Sequence, residues 1–429
     1  MTLNRTTPPP IRPMGDFSLL RPERRRMKNG MPLNIIHAGS QEVVRFDILI
    51  GGGQWHQTQS LQALFTNRML REGTASMTSA QIAEKLDYYG AWLELSSSVN
   101  CGFVTLYSLN KYFPRTLAII ADMVKTPTFP QKEMEVVVEA NRQQFLVNSE
   151  RVEVISRKQF NRSLFGDEHP FGRFAVESDY GRITPEVLRE FYRKHYHSGN
   201  CSVYVSGKVT PEIIRCIEEN LGDAPWGEIK EVEPLKLIEP CQTTEKRIFV
   251  EKADALQSSL KMGCFMMDRI HPDFLKTRAM VTLFGGYFGS RLMSNIREDK
   301  GYTYGIGAGI VNCPGSGVMA ITTEADNRYI EAIITEVYHE IDRLCNDLVP
   351  QEELEMLRGY MLGDFCRSYD GPFSLSEAWI YVETAELDED FFVRQVDSIR
   401  SITAEEIRTL AQRYLCKESL IEVVAGKKV

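Results

Sequence analysis

Ile183-Thr184-Pro185-Glu186-Val187-Leu188-Arg189 returns further along the chain as Ile402-Thr403-Ala404-Glu405-Glu406-Ile407-Arg408, without a gap and at a shift of 219 residues. The same shift carries Val205-Ser206-Gly207-Lys208 onto Val424-Ala425-Gly426-Lys427, so a helix followed by a strand recurs as a unit. Upstream, Pro130-Gln131-Lys132-Glu133-Met134-Glu135 answers to Pro350-Gln351-Glu352-Glu353-Leu354-Glu355 at a shift of 220. Two nearly equal offsets, from segments far apart, make the chain an internal duplication. Each copy also has physical reasons to start a helix. Thr184 and Thr403 can cap the first free amides, Pro185 suits the first helical position, and Thr403 with Glu406 has capping-box spacing. Ile183 with Leu188, and Ile402 with Ile407, are spaced as hydrophobic staples.

Outward from these anchors, strand-like and helix-like periods alternate in the same order in both copies. The first copy predicts strands within 31–50, helices over 61–70 and 79–89, strands within 92–109 and a helix over 112–124. The second predicts strands near 247–250 and 258–267, helices over 272–283 and 290–298, strands over 302–311 and 318–324, and a helix over 328–347. The stretch 221–246, with Pro225, Gly227, Pro234 and Pro240, reads as the connection. The expected fold is therefore α+β: two homologous α/β-sandwich halves, 1–235 and 236–429, with mostly antiparallel sheets related by a pseudo-two-fold.

A chain of 429 residues with 43% hydrophobic and 25% charged residues has the composition of a globular protein of more than one domain. A net charge of −8 and a pI near 5.6 argue against a nucleic-acid footprint. The triplet Arg24-Arg25-Arg26 reads as a solvated turn before a strand. The amino terminus, with Pro8-Pro9-Pro10, lacks the apolar run of a signal peptide, and no stretch is long and apolar enough to predict a membrane span. Nine scattered cysteines, odd in number and never in Cys-x-x-Cys spacing, indicate neither a disulfide framework nor a zinc knuckle. A cytoplasmic location is the expectation.

The densest motif is Gly285-Gly286-Tyr287-Phe288-Gly289-Ser290-Arg291-Leu292-Met293-Ser294-Asn295-Ile296-Arg297-Glu298-Asp299-Lys300-Gly301-Tyr302-Thr303-Tyr304. It resembles the carboxy-terminal signature of the insulinase/pitrilysin family of zinc peptidases, which includes the mitochondrial processing peptidase: a Gly-Gly helix start, Ser-Arg-Leu, then Arg-Glu-x-x-Gly-x-x-Tyr. His169-Pro170-Phe171-Gly172 is similar to that family's middle segment, and the resemblance covers nearly the whole chain.

In active members, His-x-x-Glu-His on one helix supplies two zinc ligands and the general base, and a Glu on a later helix is the third protein ligand. Aligned through Gly73-Thr74, the resemblance puts Leu64 and Arg68 at the two His positions and Asn67 at the base position. The third-ligand position falls on Ala140, or on Glu139 if the alignment slips by one. Leucine has no lone pair, arginine stays cationic, and asparagine cannot take the proton of a water. A bound metal lowers the pKa of water from about 15.7 to about 7, and nothing at these positions replaces it. No zinc is expected in this chain. His195-Tyr196-His197 could in principle hold a metal, but it ends a helix where the family has a Tyr-x-x-x-Asn run without catalytic duty, so a surface role is expected. His37, His56, His271 and His339 carry no motif.

Arg297 and Tyr304 each have an ordinary structural explanation, as a dipole-favouring residue of a last helical turn and as a strand residue. The resemblance implies another role. In the family, the second half closes over the zinc half, and this Arg and Tyr hydrogen-bond the scissile carbonyl as an oxyanion clamp. Tyr302 shares Tyr304's strand parity and is expected on the same face, as a substrate-binding residue. Lys300 and Glu298 read as solvated.

The expected function is a non-catalytic subunit of a two-chain zinc peptidase. A homologous partner would supply zinc and its ligands, this chain the Arg/Tyr clamp, and the substrate would be an unstructured peptide added as a strand to a sheet edge. A second copy of this chain is another candidate partner. The alternative is a scaffold or binding protein, as the zinc-less core proteins of the respiratory cytochrome complex resemble this family without proteolysis.

Overall fold

The computed structural model describes Thr6, residues 19–229 and residues 236–428. The Pro8-Pro9-Pro10 segment and the expected boundary near 235 lie outside the described residues.

The first half runs β1 (Glu23–Arg26), β2 (Pro32–His37), β3 (Val43–Gly51), α1 (Gln62–Arg68), α2 (Ser79–Tyr88), β4 (Trp92–Ser97), β5 (Cys101–Leu109), α3 (Phe113–Lys125), α4 (Gln131–Ser149), α5 (Val152–Phe165), α6 (Glu177–Tyr180), α7 (Pro185–His195), β6 (Cys201–Gly207) and α8 (Pro211–Ile217). The second runs β7 (Arg247–Glu251), β8 (Gln257–Met266), α9 (Phe274–Val281), a π-helical segment (Met293–Asp299), β9 (Thr303–Cys313), β10 (Ser316–Asp326), α10 (Ile330–Asn346), α11 (Gln351–Ser368), α12 (Pro372–Thr384), α13 (Phe391–Ser401), α14 (Ala404–Tyr414) and β11 (Ile421–Gly426). The sheets are ordered β1-β2-β6-β3-β5-β4 and β7-β11-β8-β10-β9. Element for element, these are one order, with β1 added at the edge of the first. In each sheet one pair is parallel, β2 with β6 and β7 with β11, and the other pairs are antiparallel. The expected mostly antiparallel α+β architecture is what the chain adopts.

The anchors of the duplication behave as their chemistry requires. Thr184 accepts from the Val187 amide with Pro185 at the helix start, and Thr403 with Glu406 closes a full capping box. The hydrophobic partners Ile183, Leu188, Ile402 and Ile407 are all buried. Arg24-Arg25-Arg26, read as a turn, instead forms edge strand β1. Paired antiparallel to β2, it presents a fully exposed charged row, with Arg24 reaching Glu389 at 3.1 Å. Such a row discourages further strand addition at that edge.

Each half lends one helix to the other. α5 packs on β8 and β11 of the second sheet, and its counterpart α12 packs on β6 and β2 of the first. Trp379, Leu375 and Ala378 of α12 bury against Ile36, Leu49 and Tyr204. At this interface the fully buried Asp47 takes hydrogen bonds from Arg45 Nε (2.9 Å), Thr105 Oγ1 (2.7 Å) and Ser376 Oγ (3.4 Å), while Arg45 also reaches Glu377 at 2.5 Å. The α5 interface is less charged: Ser156 and Ser259 share a hydrogen bond of 2.9 Å, and Lys261 bonds Thr322 at 2.9 Å with Glu153 4.0 Å away. The exchange interlocks the two halves. No helix among the described residues is long and apolar enough to cross a membrane.

Candidate functional site

Helix α1 carries the positions that the resemblance assigns to metal ligation. Leu64 and Arg68 are half-buried, and Asn67 is fully buried. The Asn67 carboxamide turns into the sheet, donating to the Phe103 carbonyl at 3.3 Å and to the Tyr196 hydroxyl at 3.4 Å, while its oxygen has no partner. Gly102 makes this approach feasible, since a Cβ there would lie 3.1 Å from the Tyr196 oxygen and 3.2 Å from Asn67 Nδ2. Leucine, asparagine and arginine here form a packed surface without a ligand among them.

On α4, Ala140 and Glu139 are both exposed. Glu139 is engaged by Arg142 at 2.8 Å, which also holds Glu177 at 2.5 Å, and the Arg142 hydrogen bond keeps the Glu139 carboxyl down at about 2. Neither reading of the alignment therefore frees a carboxylate for a metal. Among the described residues, no group of three or more His, Cys, Asp or Glu side chains could hold a metal ion.

His195-Tyr196-His197 ends α7 as expected, but it is not at the surface: the three residues are 4%, 1% and 0% exposed. The backbone leaves helical geometry at Tyr196 (φ −96°, ψ 82°), and His195 meets the last residue of β3, Gly51. His195 packs on Phe191 (ring centroids 4.4 Å) and His56 (5.5 Å), and its Nδ1–H donates to the Gly51 carbonyl at 3.2 Å. Its Nε2 is buried without a partner. Burial, with His56 and Lys194 nearby, pushes the His195 pKa down to about 4, so the ring is neutral at neutral pH. Gly52 permits the contact: at φ +148° a Cβ there would fall 2.7 Å from the His195 ring. Asn200, closing the Tyr-x-x-x-Asn run, bonds the His195 carbonyl at 2.9 Å and also the Gly51 carbonyl. The run locks the strands next to α1.

The second half is built the opposite way. Arg297 sits in the last turn of the Met293–Asp299 segment, Gly301 reverses the chain at φ +66°, and Tyr304 opens β9 with 93% of its surface exposed. Regular alternation would turn Tyr304 toward the core with Ile306 and Ala308, both buried. A bulge prevents this. Ile306 pairs with Thr323 but Thr303 pairs with Ala325, so Tyr304 and Gly305 stand opposite the single Glu324. Bulges re-aim side chains in this way. The threonines hold it closed: Thr303 Oγ1 donates to the Glu324 carbonyl (2.7 Å) and accepts from the Gly305 amide (3.2 Å), and Thr323 Oγ1 donates to the Gly305 carbonyl (2.8 Å).

Arg297, Tyr302 and Tyr304 line one groove of about 610 Å³ with Tyr329 and the acidic Glu298, Glu324 and Asp326. Tyr302 arrives there by a different route from Tyr304: half-buried ahead of the strand, it rests on the core and stacks on Tyr329 at 4.9 Å. The Arg297 guanidinium lies 4.6 Å over the exposed Phe288 ring, and Glu298 is 3.9 Å away, too far for a strong ion pair. Lys300, read as solvated, instead bonds Glu336 and Asn295, both at 2.9 Å. Phe288 and Tyr329 are the groove's support that sequence reasoning passed over. Phe288 stands in the quoted motif as a large apolar residue between glycines, a visible signal, whereas the Tyr302–Tyr329 stack requires the fold.

Residues 35–168 match the family model for insulinase (peptidase family M16), and residues 182–360 match that for the peptidase M16 inactive domain. A protein of Rickettsia bellii described as an uncharacterized zinc protease is 26% identical over 345 residues, 78% of this chain and 80% of its own length. A Helicobacter pylori protein named non-peptidase homolog YmxG is 22% identical over 281 residues, 64% of this chain and 62% of its own. Among solved structures, a peptidase M16 inactive domain from Pseudomonas fluorescens superposes with a TM-score of 0.83 at 21% identity, over 96% of this chain and 99% of that one.

Proposed function

The chain belongs to the insulinase family of M16 peptidases, and on that premise we propose that it is the non-catalytic subunit of a two-chain zinc peptidase. The observation that carries this reading is the contrast between a packed, ligand-free α1 and a Tyr304 held out of the core by a stitched bulge beside a loosely paired Arg297. A residue serving only stability gains nothing from 93% exposure.

In this reading, residues 1–235 act as a peptidase-like half without the metal and 236–429 as the half that faces the partner's site. A homologous partner carrying intact His-x-x-Glu-His would hold the zinc that polarises the attacking water. The Arg297 guanidinium and the Tyr304 hydroxyl would donate to the scissile carbonyl oxygen as it gains negative charge, the step at which fixed donors lower the barrier most. The substrate would be an unstructured peptide. β9 is an edge strand with free backbone groups along its outer side, suited to pairing with an extended chain, and Tyr302 borders the same groove. The nine free cysteines favour a reducing, cytoplasmic setting.

The test is reconstitution. The purified chain should contain no stoichiometric zinc at residues 64–68 and cleave no peptide, while the pair with a zinc-bearing homologue should cleave an unstructured peptide and lose that activity to a chelator. Zinc bound at 64–68, or chelator-sensitive hydrolysis by this chain alone, would overturn the reading. A stable but inactive pair would leave this chain as a scaffold.

A further inference from the structure

A cavity of about 450 Å³ lies beside β9 in the second half, and it shares no lining residue with the Arg297–Tyr304 groove. Its apolar walls come from Phe274 of α9, Phe391 of α13, and the rings of Tyr369 and Tyr381. Two of its polar groups lack partners. Gln395 is 5% exposed, yet its carboxamide oxygen has no hydrogen-bond partner among the described residues, and the buried Asn312 Oδ1 on the same lining has none either. A buried orphan acceptor costs about 1–3 kcal/mol, and the great majority of such groups are satisfied. Two on one cavity call for a donor from outside the chain. Arg278, also on the lining, is exposed and makes no ion pair among the described residues; the nearby carboxylate of Asp364 is engaged by Arg367 at 2.7 Å.

An unpaired guanidinium, two orphan acceptors and four rings specify a ligand with an anionic group, N–H donors and an apolar body. We propose that this cavity binds the free carboxylate end of an apolar residue, as a free amino acid or as the carboxyl terminus of a short peptide. The carboxylate meets Arg278, N–H groups meet the Gln395 and Asn312 oxygens, and the side chain lies among the rings. The volume falls within the roughly 300–1,000 Å³ of small-molecule sites. The site goes beyond the subunit role proposed above and stands independently of any partner.

The experiment is calorimetric titration of the full chain with L-phenylalanine, with the dipeptide alanylphenylalanine, and with phenylalaninamide. At least one of the two acids should bind, and which of them binds identifies the source of the carboxylate. The amide, which lacks the anion, should bind roughly tenfold or more weakly. Gln395→Met should abolish binding while leaving the melting temperature unchanged or raised, because it removes an unsatisfied polar atom at similar shape. Arg278→Gln should erase the preference for acid over amide. Absence of binding by both acids at millimolar concentration, equal affinity for acid and amide, or undiminished binding by Gln395→Met would each overturn the proposal.

Discussion

Asn67 on α1 and Tyr304 at the start of β9 stand at opposite extremes, one completely buried and the other 93% exposed, within two halves that share a strand order. At α1 the polar atoms are turned inward and absorbed by Tyr196 and the Phe103 carbonyl. At β9 two threonines spend their hydroxyls on a bulge that keeps a large aromatic ring in solvent. A shared architecture therefore does not carry a shared chemistry. The first region behaves as core, the second as a held-out surface feature. Substitutions should divide accordingly, into those that change stability alone and those that change turnover alone.

The largest effect is expected at the core-like extreme, where α12 docks on the first sheet. Asp47→Ala leaves Arg45 buried, with Glu377 as its remaining carboxylate among the described residues and the Tyr107 ring 5.5 Å away, and strands Thr105 and Ser376. Breaking a buried pair from one side costs about 3–5 kcal/mol. The matching change at the α5 interface, Lys261→Met, should cost less than about 1 kcal/mol, since Glu153 lies 4.0 Å away and is partly exposed. Chemical denaturation of both variants checks the pair. Equal losses would show that the two exchanged helices are held in the same way.

At the site-like extreme, Arg297→Ala and Tyr304→Phe should each lower peptide cleavage by the reconstituted pair by about 10²–10³, the usual cost of losing an oxyanion donor. Their unfolding free energies should stay within about 0.5 kcal/mol of the parent, because neither side chain fills the core. A loss of stability with unchanged cleavage would turn the contrast around and make the groove structural.

The packing of the first half also predicts a pH dependence. The His195 pKa of about 4 lies below its unfolded value of about 6.5, so the folded state binds fewer protons between those limits. Its contribution is complete above pH 6.5 and is lost as the pH falls toward 4, by about 3 kcal/mol in all. Urea melts across that window measure the slope, and His195→Gln should reduce it, leaving the part that His56 and His169 contribute through their own burial-lowered pKa values. A slope left unchanged by the substitution would assign the titration elsewhere.

Much of this was legible in the sequence because it repeats. A gapless match at a shift of 219, with capping threonines and staples in both copies, fixes helix starts and strand order through local chemistry. The exchange of α5 and α12 was not legible, since nothing in an amphipathic helix states whose sheet it will cover. The positions that the resemblance assigns to ligation could be judged residue by residue, as Leu64, Asn67 and Arg68 lack the needed atoms whatever the geometry. The burial of His195-Tyr196-His197 could not, because it depends on where the chain passes after α7 and on the room left by Gly52. Strand parity placed Tyr302 and Tyr304 on one face, but the bulge, set by hydroxyls twenty residues apart, decides what each ring does.

The smallest expected effect separates a packed remnant from a residual site at α1. Asn67 makes two long hydrogen bonds and buries an unpartnered oxygen, so the gain from its bonds is partly offset by its own orphan atom. Asn67→Ala should therefore cost about 1 kcal/mol or less, and Tyr196→Phe, which removes the hydroxyl from the other end, a similar amount. The double variant should cost less than the sum, because the two changes delete the same contact. Cleavage by the reconstituted pair should not move in any of the three, since Asn67 has no proton-accepting group and faces the sheet. If Asn67→Ala lowered turnover tenfold with the melt unchanged, the position on α1 assigned to the base would retain a part in the chemistry, and the division between a packed half and a half carrying the proposed clamp would fail at the residue where it is drawn most sharply.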